Sequence, residues 1–261
     1  MMSGDLDIGP ILDGWDYRPG RLSVRKIKGL DGRPKLQLRL ELGLLQMEVE
    51  GRPDGTEPFG EPSLLAYYLK KLARHRAEHG TDEGFHLDEE ECSALRREMM
   101  QYYHRRISLL QLREYEGAAR DAEHNLRIMD LIKSYALREE DRRTFDAFRP
   151  FVIVHLAQAR ASLLLQRGDY EGALEEVEDG IRRIEEFFSE RGLEDLIPEA
   201  KELRFLRNWA DRIKKVRPKE IREELERRMK EAAEREDYER AAKFRDMLRE
   251  LEEGPGRVRR T

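Results

Sequence analysis

The sequence predicts an α+β protein that is mostly α, with a small N-terminal antiparallel sheet followed by helical hairpins running almost to the C-terminal end. Three observations predict this. Residues 35–42 alternate strictly between apolar and polar side chains, the period of a strand. From Pro62 onward apolar residues recur every three or four positions, as they do along one face of a helix. Charged residues make up 40% of the 261, against about 25% in an ordinary soluble protein, which suits long solvated helix faces. The expected organisation is a small β domain over 1–60, a helical-hairpin region over 61–215, a further hairpin over 216–253 and a disordered basic tail over 254–261.

In the sheet, a strand over 22–28 is expected to pair with the next through the turn-rich segment 29–34. The second strand sets Leu36, Leu38, Leu40 and Leu42 on one side and Lys35, Gln37, Arg39 and Glu41 on the other, as a half-buried strand would. At Gly43 the phase flips to Leu45, Met47 and Val49, so a bulge or bend is expected at the glycine. Segment 51–55 closes the sheet, and Pro62 falls where the first turn of a helix tolerates proline. Helix breaks are expected at Gly80 to Gly84, Arg149-Pro150, Gly168-Asp169, Gly192 and Arg217-Pro218.

Two of the turns are alike: Glu114-Tyr115-Glu116-Gly117-Ala118 and Asp169-Tyr170-Glu171-Gly172-Ala173. The acid is expected to cap the new helix, the aromatic to close the hairpin, and the small residue to let two helices approach. Residues 163–181, with Gly168, Tyr170 and Ala173 in order, resemble a tetratricopeptide repeat, which implies stacked helical hairpins.

Composition narrows the function. Lys plus Arg number 50 against 55 Asp plus Glu, a net charge of −5, which disfavours a general DNA or RNA coat. A hydrophobic share of 39% still allows a buried core. One cysteine, Cys92, allows no internal disulfide; it sits near a helix start, but Glu89, Glu90 and Glu91 oppose a thiolate. No run of 18 apolar residues and no leader pattern is legible, so a cytoplasmic location without membrane contact is expected. A G-x-x-x-x-G-K-[ST] phosphate loop is also missing, which leaves ATP-driven chemistry without a nucleotide site.

The sharpest pattern lies over 219–252. Ile221, Leu225, Met229 and Ala232 form one apolar stripe, and Tyr238, Ala241, Ala242, Leu248 and Leu251 a second, with the turn at Glu236-Asp237. Leu225, Met229, Ala232, Ala233, Asp237, Tyr238, Glu239, Ala241, Ala242, Arg245, Asp246 and Leu248 resemble the UVR motif, shared by the excision-repair helicase subunit UvrB and its partner nuclease UvrC. Tyr238 stands where the family more often has Phe, and its hydroxyl needs water or a partner. Two short helices bury little apolar surface alone, so the free face is expected to pair with another hairpin or to dock on a neighbouring domain. Arg245, on that stripe, needs carboxylate or carbonyl acceptors.

The whole chain resembles bacterial proteins named for this motif, and the resemblance implies a protein partner that carries a similar hairpin, or a second copy of the chain. The expected function is therefore a non-catalytic adaptor linked to nucleotide excision repair or protein quality control, with no cofactor or metal. Its partner-binding residues are expected to be Leu225, Met229, Tyr238, Glu239, Ala241, Ala242, Arg245 and Asp246. One alternative is a repair accessory holding DNA through Lys214, Lys215, Arg217, Lys219 and the tail Arg257, Arg259 and Arg260. A remote alternative is a zinc-dependent hydrolase, because His75, Glu78 and His79 read H-x-x-E-H. His104, His124 and His155 are scattered singly, and the pairs Tyr67-Tyr68 and Tyr102-Tyr103 are expected to be core or hairpin-packing residues.

Overall fold

Strands β1 (Val24–Lys28), β2 (Pro34–Leu40) and β3 (Gly43–Glu48) form an antiparallel sheet in the order β1-β2-β3 in the computed structural model, which describes residues 7–253. The tail 254–261 lies outside the described residues. Leu36 faces Met47 and Leu38 faces both Leu45 and Val24, so apolar cross-strand pairs hold the register. Leu40 pairs with Gly43 across a turn at Glu41-Leu42. The phase change at Gly43 is thus no bulge. A two-residue turn sets even positions of β2 opposite odd positions of β3, and Leu42, at the turn, is fully exposed.

β2 is also not half-buried. Its polar side is covered, with Lys35 8% and Gln37 4% exposed. As the central strand it has neighbours on both sides: Gln37 accepts from Arg25 at 2.8 Å and donates to Gln46 at 2.9 Å, while Lys35 pairs with Asp31 at 2.7 Å and with Glu48. A short helix, α1 (Gly9–Leu12), precedes the sheet.

Helix α2 (Leu64–His79) starts with Ser63 accepting from the Ala66 N–H. Pro62 therefore precedes the cap and is not in the first turn, because the serine oxygen outcompetes it as the helix start. Gly80, in the left-handed conformation at φ 75°, ends α2. Helix α3 (Glu89–Gln111) opens with a capping box between Asp88 and Glu91. Then follow α4 (Tyr115–Tyr135), α5 (Glu139–Asp146), α6 (Arg149–Gln166), α7 (Tyr170–Ser189), α8 (Lys201–Glu234) and α9 (Tyr238–Glu253).

From α3 on, the long helices pack mainly on their successors: α3 on α4, α4 on α6, α6 on α7, α7 on α8 and α8 on α9. The core runs along these contacts through Leu95, Leu109, Ile128, Ile132, Ala159, Val177, Ile184, Leu203 and Leu206. Gly180 permits the closest approach: a Cβ there would lie 2.9 Å from the Ala157 Cβ on α6 and 3.2 Å from Leu206 on α8. The expected break at Arg217-Pro218 is absent, and α8 passes through it. A proline costs a helix about 3 kcal/mol and one hydrogen bond, which good helix formers on both sides can outweigh.

Three hairpin turns share one geometry. Arg113, Gly168 and Glu236 are left-handed at φ 61°, 75° and 59°. The next N–H, of Glu114, Asp169 or Asp237, reaches back to the carbonyl of Leu109, Leu164 or Ala232 at 2.9 Å in each case. The residues that follow read Tyr-Glu-x-Ala in all three, so Asp237-Tyr238-Glu239-Arg240-Ala241 is a third copy of the turn seen twice in the sequence. Asp169 caps α7 by accepting from the Gly172 N–H at 2.9 Å. Glu114 does not cap α4. Instead its longer arm reaches out to Lys26 of β1 at 2.9 Å. Ala118 and Ala173 are fully buried where the helices meet, as their size requires.

Buried ion pairs fasten the sheet to the helices. Arg105 on α3 and Asp121 on α4, both fully buried, form two parallel bonds of 2.7 and 2.8 Å. Arg105 also donates to the carbonyls of Glu48, at 3.1 Å, and Gly51, at 2.7 Å. Glu98, fully buried, accepts from Arg52, from His124 and from the N–H groups of Leu64 and Leu65 at the start of α2. Burial pushes the Glu98 carboxyl up, but these donors outweigh it and hold it below the ordinary carboxylate value.

Candidate interaction site

The third hairpin differs from the first two in what covers it. Tyr115 and Tyr170 are partly buried and pack against the core, whereas Tyr238 is 70% exposed. The reason lies in the order of packing. The α3–α4 hairpin is covered by α6 and the α6–α7 hairpin by α8, while α9 makes its substantial packing contacts, among the described residues, with α8. Along α8 burial fades in step. Leu206, Ala210 and Ile213 are buried against the bundle, and Ile221, Leu225 and Met229 beyond them are only half-buried.

The hairpin is held together locally. Asp237 caps α9 by accepting from the Arg240 N–H at 3.2 Å, and its carbonyl accepts from the Ala241 N–H at 3.0 Å. Ala232 is buried at the crossing, with Ala241, Ala242 and Leu248 half-buried opposite. Backbone and cap close this turn, leaving the Tyr238 ring in solvent. Residues 219–254 match the UvrB/uvrC motif. This is the UVR motif of proteins of nucleotide excision repair. No curated protein and no solved structure matches the chain.

Within the UVR hairpin the expected contact residues form a half-open apolar seam flanked by charge. Leu225, Met229, Ala241 and Ala242 line the seam, while Tyr238, Glu239 and Arg245 stand out in solvent. Arg245 meets the neighbouring Asp246 at 3.3 Å, and Glu239 meets Lys243 at 3.1 Å. On α8, hydrogen bonds from Arg227 and Arg228 draw the Glu224 carboxyl down to about 2.

The other candidates are dispersed. Lys214 pairs with Glu178 at 2.9 Å and Lys219 with Glu223 at 3.8 Å, while Lys215 is exposed; Arg257, Arg259 and Arg260 lie outside the described residues. His75 and His79 stack at 4.3 Å on the last turn of α2, His75 Nε2 lies 2.9 Å from the Glu83 carbonyl, and Glu78 is exposed. Among the described residues no three His, Cys, Asp or Glu side chains converge as metal ligands. Cys92 is fully buried, and burial, with Asp141 and Glu91 nearby, pushes its thiol up to about 12. His124 stacks on Tyr102 at 3.6 Å, and burial pushes the His104 imidazole below its ordinary value. No described helix is long and apolar enough to cross a membrane.

Sequence reasoning missed the buried ionised groups of α3 and α4. Glu98, Arg105 and Arg106 occupy the apolar face of α3 with Leu95, Tyr102 and Leu109. That placement, charge at core positions of a helical stripe, was the available signal.

Proposed function

We propose that the protein is a non-catalytic adaptor that recruits a protein partner through its UVR hairpin. The observation that carries this reading is the uncovered third hairpin: the same turn is packed twice inside the protein, and in its third copy Tyr238 and the seam beneath it are left open. A hairpin whose relatives are each covered by a further helix is suited to accept helices from another chain. The partner we infer carries a UVR hairpin itself, as UvrB and UvrC do, or is a second copy of this chain. The contact residues are Leu225, Met229, Tyr238, Glu239, Ala241, Ala242, Arg245 and Asp246. The stacked hairpins before them, read as tetratricopeptide-like, serve as the scaffold.

The test is capture of purified UvrB, UvrC or the differently tagged chain by the full-length protein, compared with Tyr238→Ala and Arg245→Glu. Because both side chains are largely exposed, each variant is expected to unfold within about 0.5 kcal/mol of the wild type while losing capture. Equal capture by all three proteins, or a destabilised Tyr238→Ala with capture intact, would make the hairpin internal packing and refute the adaptor reading.

A further inference from the structure

A second site, independent of the UVR hairpin, opens where α3, α4, α5, the start of α6 and the end of α7 meet. It is a cavity of about 1550 Å³. Its walls are aromatic, from Phe145, Phe148, Phe151, Phe187 and Phe188, and Phe148 at 57% and Phe151 at 37% exposure stand toward the solvent. Arg106 and Asn125 line it as well, and each is only 1% exposed. Each also has an unsatisfied polar atom: Arg106 Nη1 lacks an acceptor, and Asn125 Oδ1 lacks a donor.

Arg106 is the most deeply buried of the charges that line the cavity, which also include Glu202 at the start of α8. Glu139 is held by Arg143, Glu190 by Lys133, and Asp146 by Arg149 and Arg191. The nearby Asp121 is committed to Arg105. Among the described residues no carboxylate pairs with Arg106, whose Nε donates to the neutral His155 Nδ1 at 3.2 Å. Burial lowers Arg106 to about 10, so it remains a full cation at neutral pH. A buried cation without a counter-charge is unfavourable unless something supplies the charge. Pockets with an apolar wall and a few convergent polar groups are where small ligands bind.

We propose that this cavity binds a small organic anion, an aromatic body among the phenylalanines with a carboxylate or phosphate group on Arg106. The headgroup accepts from Arg106 Nη1. Carboxylate and phosphate share this chemistry, and the probes below separate them.

The experiment is calorimetric titration of the full-length protein with 2-naphthoate, 2-naphthyl phosphate and the neutral 2-naphthamide. At least one anion is expected to bind tenfold or more tighter than the amide, and the tighter of the two identifies the headgroup. Arg106→Met is expected to bring anion and amide within twofold of each other. Phe148→Glu, an exposed substitution that leaves the core untouched, is expected to weaken the anion at least threefold. Neither anion exceeding the amide in the wild type overturns the proposal, as does an Arg106→Met protein that keeps the preference. Should Arg106→Met fail to fold, the wild-type comparison together with Phe148→Glu decides: an anion preference that Phe148→Glu leaves intact overturns the proposal, and one that it weakens supports it.

Discussion

Replacing Asp121 with alanine strands a fully buried guanidinium. Arg105 keeps its bonds to the Glu48 and Gly51 carbonyls but loses both bonds to a carboxylate that is itself 0% exposed. Removing one partner of a buried pair costs about 3–5 kcal/mol. At roughly 2–4 °C per kcal/mol for a chain of this size, that is a fall in Tm of roughly 6–20 °C. Arg105→Met is milder on the charge side, because Asp121 still has Arg120 at 3.4 Å, though the two carbonyls then each lose a donor at about 1 kcal/mol or more. In the double variant no charge is stranded, so it is expected to be no less stable than Asp121→Ala alone, a coupling of about 2 kcal/mol or more. Urea unfolding of the four proteins, followed by circular dichroism, measures this. Single effects that add to within about 0.5 kcal/mol in the double variant would refute the claim that Asp121 holds and neutralises Arg105 where it reaches the sheet.

Two further predictions concern charge and caps. His155 is lowered to about 3 by burial and by Arg106, so it stays neutral in the folded state while the unfolded chain takes up its proton below the usual value near 6.5. Stability contributed by His155 is thus fully present above pH 6.5 and is lost as pH falls toward 3, by up to about 1.4 kcal/mol per pH unit. His155→Asn should flatten urea-measured stability between pH 6.5 and 5, a window above the titration of Glu98, and an unchanged slope would sink the assignment. Asp169→Ala should lower stability by about 1 kcal/mol through loss of the α7 cap. Glu114→Ala, which removes only the exposed pair with Lys26, should cost about 0–1 kcal/mol; thermal unfolding showing the reverse order would contradict the observed caps.

The sheet and the hairpins were legible because their signals are local. Period-two alternation in β2, the capping box of α3 and the Gly80 stop depend on residues a few positions apart. The UVR hairpin was legible for the same reason, since its stripes and its Asp237-Tyr238 turn lie within one continuous segment. Local patterns also misled. Glu114 looked like a cap until Lys26 from a distant strand took its carboxylate, and Arg217-Pro218 looked like a helix end although α8 continues on both sides.

By itself, the sequence determined the class of fold, the turns at Glu114, Asp169 and Asp237 and the motif at 219–254, because backbone hydrogen bonding and apolar periodicity act over a turn or two of chain. Only the tertiary structure decided which charges are buried and which hairpin is left uncovered. Glu98, Arg105 and Arg106 have the same composition as any charged helix face. What makes them structural, or leaves Arg106 without a counter-charge, is the arrival of Asp121, Arg52 and His124 from elsewhere, and desolvation depends on everything that packs around a group.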